Sequence, residues 1–89
     1  MRLAFLLYKY FPYGGMQRDF RRFVEEVQAR GHHCRVYYID WQGDKIPAAE
    51  HRKVPVSAAS NHRRNERFLA WVNNDLATDP VDGVVGFNK

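Results

Sequence analysis

Two adjacent glycines, Gly14 and Gly15, stand where an apolar strand pattern gives way to an amphipathic helix pattern. The first turn of a helix presents unpaired N–H groups and a partial positive charge, so such a junction can hold an anion such as a phosphate. Because glycine has no Cβ atom, a ligand can approach the backbone closely, and positive φ is permitted. Phosphate contact is one interpretation, and a tight turn without a ligand is the other. The segment is neither Gly-x-Gly-x-x-Gly nor a Walker loop, so it does not indicate a classical dinucleotide or nucleoside-triphosphate site.

Three charged residues flank the glycines. Lys9 directly follows the predicted strand, where a cation could meet a diphosphate or a sugar phosphate. Arg18 falls in the first helical turn, where the helix dipole disfavours a cation, so its position indicates either a role in binding or simple exposure to solvent. Asp19 is interpreted as a carboxylate that the same dipole favours in the first turn.

A second basic segment opens the later helix with Asn61, His62, Arg63 and Arg64. Two interpretations apply to it, an anion site and a solvated basic helix start. The chain has 14 basic and 10 acidic residues and a net charge of +4, which favours anionic partners. Nucleic acid is not predicted as a partner, because the aromatic residues fall at strand and core positions and form no evident stacking surface.

The histidines and the cysteine do not indicate a metal site. His32 and His33 are adjacent at the start of a strand, so their side chains point to opposite sides, and no Cys or His partner stands at zinc spacing. Cys34 is the single cysteine; it excludes an internal disulfide, agrees with a reducing cytoplasm and is expected in the core. No metal is therefore expected, and no catalytic nucleophile is assigned.

The elements that position these residues alternate between strand and helix. The continuous apolar run Leu3–Tyr8 predicts a buried parallel strand, and the helical period of residues 16–30 predicts a helix that stops at Gly31. Pro55 cannot donate to a ladder, so its strand belongs at an edge. The remaining elements are strands at Cys34–Ile39, Val54–Val56 and Gly83–Phe87, and a helix from a cap at Ser60 or Asn61 to about Ala77. The order β-α-β-β-α-β predicts an α/β fold with a partial Rossmann-like parallel sheet.

Apolar residues at helical spacing predict the buried face of each helix. In the first helix the stripe consists of Phe20, Phe23, Val24 and Val27. In the second it consists of Phe68, Leu69, Val72 and Leu76, with Trp71 alongside.

The 89 residues suffice for one small domain at most, and 45% hydrophobic content is that of a globular chain. The apolar run before Lys9 is too short for a transmembrane helix, which needs about 20 residues, and no small-residue cleavage site follows it. We therefore expect a cytoplasmic protein that spans no membrane, with surface association left open. The chain stops directly after the last predicted strand, where parallel sheets bind ligands, so we expect the front of a longer protein.

Three segments, in their order and spacing, resemble the start of the lipopolysaccharide core heptose glucosyltransferase I family of Gram-negative bacteria. The segments are Leu7–Phe20, Arg30–Tyr37, and Asn61–Asn65 with Val84–Lys89. Members of that family are retaining glycosyltransferases of the GT-B type, built from two Rossmann-like domains. The resemblance covers essentially the whole chain and implies that residues 1–89 are an incomplete N-terminal, acceptor-side domain.

The resemblance also implies an activity, which is transfer of glucose from UDP-glucose to a heptose of the lipopolysaccharide inner core with retention of configuration. It implies a peripheral protein at the cytoplasmic face of the inner membrane. The expected partners are the lipopolysaccharide core acceptor, the UDP-sugar and the anionic membrane surface. Beyond the UDP-glucose donor, no cofactor is expected.

Finally, the resemblance implies a set of substrate-binding residues. The Gly14-Gly15 loop would reach towards the donor diphosphate. The other residues that would line the cleft are Lys9, Gln17, Arg18, Asp19, Asn61, His62, Arg63, Arg64, Asn88 and Lys89. The acidic donor-binding motif of the family lies beyond this sequence, so the 89 residues alone are expected to be inactive. The alternative is a small basic α/β binding module for a phosphorylated glycan or nucleotide, which explains the charge and the glycine turn but not the three matched segments.

Overall fold

The computed structural model describes residues 1–56 and 60–87, with the backbone alone for Asn61. Asn88 and Lys89, both predicted site residues, lie outside the described residues. The elements within these ranges are, in chain order, β1 (Arg2–Leu6), β2 (Lys9–Tyr10), α1 (Gly15–Ala29), β3 (His33–Tyr38), β4 (Asp40–Trp41), β5 (Glu50–Lys53), α2 (Asn61–Thr78) and β6 (Gly83–Gly86).

The main sheet has four parallel strands in the order β5-β3-β1-β6, within the ranges that the structure describes. Strand β1 is central, with Leu3 opposite Cys34 on one side and opposite Gly83 on the other. Strand β5 pairs with the far side of β3 and forms the edge. The short strands β2 and β4 follow β1 and β3 and pair with each other in a separate parallel ladder. The parallel α/β class predicted from the alternation of elements is confirmed.

Helices α1 and α2 pack on opposite faces of this sheet. Phe5 of β1 contributes to the core under α1, together with Phe20, whereas Ala4 contributes to the core under α2, together with Phe68. Successive residues of a strand point to opposite faces, so a strand covered on both faces must be apolar at every position. This explains why β1 was recognisable as a continuous apolar run.

Helix α1 ends where the glycine signal predicted. Gly31 has a φ of +92°, which favours glycine, and its N–H donates to the Gln28 carbonyl at 2.9 Å. The His32 N–H donates to the Val27 carbonyl at 3.4 Å, which completes a Schellman motif. The last turn of α1 therefore satisfies its carbonyls within the chain.

Two residues of the predicted helix stripes are not buried. Phe23 of α1 is 42% exposed because it lies at the border of the buried face, with its ring 5.7 Å from that of Phe87. Leu69 of α2 is 45% exposed, since the buried face is formed by Phe68 and Val72, which stand one helical turn apart. For these two positions the stripe prediction is wrong.

The predicted third strand at Val54–Val56 is also wrong, because the strand is β5, just before it. Strand β5 carries only polar and charged residues, so hydrophobic periodicity could not detect it. Val54 still donates from its N–H to the Tyr38 carbonyl at 2.7 Å and is buried. Pro55 then ends the ladder, since it has no N–H to donate. The expectation of an edge position is confirmed by the strand order.

A network of charged side chains joins β3, β5 and the end of α2 towards the amino ends of the strands. Arg35 of β3 is fully buried, with guanidinium nitrogens 2.9 Å from Asp79 Oδ2 and 3.3 Å from Glu50 Oε1. Arg52 of β5 pairs with Glu50, Asp75 and Asp79. Carboxylates at the C-terminus of a helix are disfavoured by its dipole, so the two guanidinium groups offset an otherwise unfavourable arrangement.

Acid is expected to destabilise the fold through this network. Burial works against the charged forms of Glu50 and Asp75, but hydrogen bonds, including those from Arg52, outweigh it, so the pKa of each carboxyl lies below its ordinary value. A carboxyl with a lowered folded-state pKa contributes stability above its unfolded pKa and loses that contribution as pH falls through the folded value. The free energy of unfolding, measured with urea, should therefore decrease as the pH falls below about 4.5.

The Asp75→Asn variant identifies the network as the cause of this drop. Its free energy of unfolding should change less between pH 7 and pH 3 than that of the wild type, because one of the coupled carboxyls is gone. Asp44→Asn, at an exposed aspartate outside the network, should keep the wild-type acid response. Identical acid responses in wild type and Asp75→Asn would contradict the assignment.

Candidate substrate-binding crevice

The sheet topology creates a crevice at the carboxyl end of β1. From β1 the chain passes through α1 to β3 on one side, and α2 later leads back to β6 on the other side. Because α1 and α2 cover opposite faces, the chain connections that leave β1 and enter β6 run over opposite faces of the sheet. Ligands of open parallel sheets bind in the crevice that opens between such strands. The topology therefore places a candidate site between the carboxyl ends of β1 and β6.

A cavity of about 280 Å³ lies at this position, and we refer to it as the crevice. Its lining comes from the end of β1, the start of α1, the first turn of α2 and the residue after β6. The lining residues are Leu7, Tyr8, Lys9, Phe11, Met16, Gln17, Arg64 and Phe87. A mainly apolar wall with an ammonium, an amide, a phenol and a guanidinium is typical of a site for a small polar ligand.

Gly14 and Gly15 have different structural roles. Gly14 caps α1 with a φ of −91°, and a Cβ atom there would lie 2.0 Å from Gln17 Oε1 and 2.6 Å from the Phe11 ring. Gly15 is the first residue of α1, and a Cβ atom there would meet nothing within 4 Å. Neither glycine has positive φ, so the conformational freedom that glycine permits is not used at these two positions. Gly14 permits close packing within the loop, whereas Gly15 leaves open space beside the first turn of α1.

The loop from β2 to α1 is held by contacts of its own. The buried side chain of Gln17 donates from Nε2 to the Lys9 carbonyl at 3.4 Å, which joins the two ends of the loop. The Gly14 N–H donates to the Phe11 carbonyl at 3.4 Å, and the Arg18 N–H donates to the Gly14 carbonyl at 3.0 Å. The start of α1 is therefore fixed relative to the end of β1.

The charged residues of α1 stand apart from the crevice. Helix α1 begins at Gly15, one residue earlier than predicted, and its first turn contains no acidic residue. The interpretation of Asp19 as a first-turn carboxylate is therefore wrong. Arg18 and Asp19 are both exposed, and neither lines the crevice.

The first turn of α2 contributes one cation to the crevice. Ser60 caps this helix, since its Oγ accepts a hydrogen bond from the Arg63 N–H at 3.2 Å. Arg64 is half-buried and lines the crevice, whereas Arg63 is exposed. His62 is also exposed and lies 2.7 Å from Glu66, one turn further along the helix.

The structure thus divides the predicted site residues into three sets. Lys9, Gln17 and Arg64 line one crevice, and Gly14 and Gly15 shape the loop beside it. The residues that are exposed and outside the lining are Arg18, Asp19, His62 and Arg63. The Asn61 side chain, Asn88 and Lys89 fall outside the described residues.

Sequence reasoning missed the aromatic and apolar part of the lining, which consists of Leu7, Tyr8, Phe11, Met16 and Phe87. Burial raises the pKa of the Tyr8 phenol, and the positive charge of Arg64 opposes that rise. At neutral pH the phenol is therefore neutral beside a guanidinium cation, and both groups can donate to an anionic or hydroxylated ligand. Their positions in the chain could have indicated two of these residues, because Tyr8 and Phe87 each follow a strand of the sheet.

The histidines contact separate groups. His32 Nδ1 lies 3.0 Å from the N-terminal amine, and His33 Nε2 lies 3.4 Å from Glu50 Oε1. Across residues 1–56 and 60–87, no three His, Cys, Asp or Glu side chains are grouped as a metal site would require. In the same residues, neither helix combines the length and the apolar character that crossing a membrane requires.

Two comparisons relate the chain to known proteins. The lipopolysaccharide glucosyltransferase WaaG of Escherichia coli (strain K12) is 56% identical over all 89 residues, and the match spans 24% of that protein. A crystal structure of WaaG, a glycosyltransferase involved in lipopolysaccharide biosynthesis, superposes with a TM-score of 0.93 at 56% identity, covering 98% of this chain and 24% of that one. No family model matches the chain. The chain thus spans about a quarter of the length of this curated relative, and it has the fold of the N-terminal part of the WaaG glycosyltransferase.

Proposed function

We propose that the full-length protein containing this chain is a retaining glucosyltransferase that transfers glucose from UDP-glucose to a heptose of the lipopolysaccharide inner core. The observation that carries the proposal is 56% identity to a lipopolysaccharide glucosyltransferase over every residue of the chain. In this proposal residues 1–89 belong to the acceptor-side Rossmann-like domain of a GT-B enzyme. The alternative of a small basic binding module accounts for the charge but not for that identity.

The crevice supplies electrostatic stabilisation in the proposed reaction. UDP departs as the bond between glucose and the diphosphate breaks, so negative charge develops on the leaving phosphate. The N-terminus of α1, the ammonium of Lys9 and the guanidinium of Arg64 lie on the side of the sheet where this charge would be held. Gly15 allows a phosphate to approach the backbone, because its position lacks a side chain and opens into free space.

The likeness to the lipopolysaccharide glucosyltransferase also suggests partners and a location, and the charge of the chain agrees with them. A phosphorylated core acceptor and an anionic membrane surface both suit a chain with a net charge of +4. We propose a peripheral enzyme at the cytoplasmic face of the inner membrane. Its partners are the lipopolysaccharide core and a UDP-sugar, without nucleic acid and without a metal cofactor.

A transfer assay tests this proposal. The full-length protein is incubated with UDP-glucose and lipopolysaccharide core that lacks the glucose, and mass spectrometry follows the core. The expected result is the gain of one hexose with stoichiometric release of UDP. The 89-residue chain alone should give no transfer above background. A folded full-length protein that leaves the core unchanged would refute the proposed function.

Replacement of Arg64 by glutamine should lower kcat/KM of the full-length enzyme by about tenfold to a hundredfold, because a charge-assisted contact in a half-buried crevice is lost. Initial rates over a range of UDP-glucose concentrations measure the effect. Arg67→Gln removes the same charge from an exposed position one turn further along α2. That control should stay within about twofold of wild type. Equal losses in both variants would mean that only the overall charge matters.

A further inference from the structure

Tyr13 exposes an aromatic ring beside the crevice. It is 76% exposed, more than any other large hydrophobic residue that the structure describes. Its ring lies on that of Phe11, with the ring centres 4.9 Å apart and the planes inclined by 33°. Phe11 in turn lines the crevice. The Tyr13 ring is therefore supported by the crevice wall and remains open to a ligand.

The backbone that carries Tyr13 is held in place. The turn from Phe11 to Gly14 closes through the Gly14 N–H, and the ring of Pro12 restricts φ within it. Gly43 lies beside the same turn, since a Cβ atom there would be 3.5 Å from Pro12, which is an ordinary van der Waals distance. An exposed ring on a braced turn loses little conformational entropy when a ligand binds.

The chemistry of Tyr13 complements that of the two cations in the crevice. Lys9 and Arg64 suit the anionic parts of a ligand, whereas an open aromatic face suits a flat apolar surface. A pyranose ring presents such a surface, since axial C–H groups on alternate ring carbons lie on the same face. We propose that Tyr13 is a stacking residue for the acceptor, with its exposed face covering the C–H face of an acceptor sugar ring. This inference rests on the proposed function, which supplies the glycan acceptor.

Binding measurements on the full-length protein test the inference. Isothermal titration with core oligosaccharide that lacks the glucose is compared for wild type, Tyr13→Ala and Tyr13→Phe. Tyr13→Ala should raise the acceptor Kd about tenfold, whereas Tyr13→Phe should stay within about twofold, because the planar ring is kept. The Kd for UDP should be the same in all three proteins. Leu69→Ala, which trims an exposed apolar residue of α2, should match wild type.

Several outcomes would overturn the inference. One is an unchanged acceptor Kd in Tyr13→Ala, and another is weaker UDP binding with normal acceptor binding, which would place the ring against uracil. A loss in Tyr13→Phe equal to that in Tyr13→Ala would assign the effect to the hydroxyl group. If Tyr13→Ala lowers the melting temperature, Tyr13→Leu is used in its place. Equal acceptor Kd values for Tyr13→Leu and Tyr13→Phe would then contradict stacking. Binding is measured separately from glucose transfer. A protein that binds the core through Tyr13 but transfers no glucose would therefore refute the proposed function and leave the inference about Tyr13 intact.

Discussion

Replacing Gly15 by tryptophan in the full-length protein is expected to lower glucose transfer by about a hundredfold or more while the fold survives. A Cβ atom at this position meets nothing within 4 Å, so a side chain can leave the backbone there without a clash at its first atom. The indole would occupy the space through which a diphosphate reaches the first turn of α1. Initial rates measure the loss, and the melting temperature reports the fold.

The neighbouring glycine provides the contrasting variant. Alanine at Gly14 places a Cβ atom 2.0 Å from Gln17 Oε1 and 2.6 Å from the Phe11 ring, so both of these side chains must move. We expect Gly14→Ala to cost roughly 1–3 kcal/mol of unfolding free energy, which is typical of overpacking. Wild-type transfer rates in Gly15→Trp would show that the open space beside α1 is not used by substrate.

Replacing Arg35 by methionine should remove about 3–5 kcal/mol of unfolding free energy, the usual cost of breaking a buried ion pair from one side. The guanidinium is fully buried and contacts Glu50, Asp79 and the Tyr37 hydroxyl, the last at 3.0 Å. Methionine fills part of the volume, but the Tyr37 hydroxyl loses its buried donor, and Glu50 and Asp79 keep fewer cationic partners, among them Arg52. Urea unfolding at neutral pH measures the change.

The matched control for Arg35 is Arg2→Met. Arg2 pairs with the same aspartate, Asp79, at 3.3 Å, but its side chain is half-exposed. An exposed ion pair contributes about 0–1 kcal/mol, so this variant should unfold almost as the wild type does. If the two variants lost similar free energies, burial would not be the reason for the importance of Arg35.

Much of the fold could be predicted from local signals in the sequence. Ser60 and Gly31 mark helix ends because a cap or a left-handed residue is a local requirement, and the structure confirms both. Strand β5 could not be predicted in this way, because its charged residues are stabilised by partners distant in sequence. Arg52 of β5 pairs with Asp75 and Asp79, which lie 23 and 27 residues further along the chain.

The candidate site was predictable only in part, for a related reason. The glycine pair and Lys9 follow β1 in sequence, so a single segment sufficed to predict that they lie near one another. Arg63 and Arg64 look alike in sequence, yet about 100° of helical rotation separates them and only Arg64 lines the crevice. Phe87 joins that lining because β6 pairs with β1, which is a property of the strand order.

We propose that the acceptor binds beside the crevice, at the carboxyl ends of β1 and β6, away from the charged network. Amide hydrogen exchange of the full-length protein, with and without core oligosaccharide that lacks the glucose, tests it most directly. We predict slower exchange in residues 8–17 and 61–64 when the oligosaccharide is present. Exchange in Glu50–Lys53 and in residues 75–79, at the network, should not change. Protection confined to the network, or no protection in residues 8–17 under saturating oligosaccharide, would contradict the account.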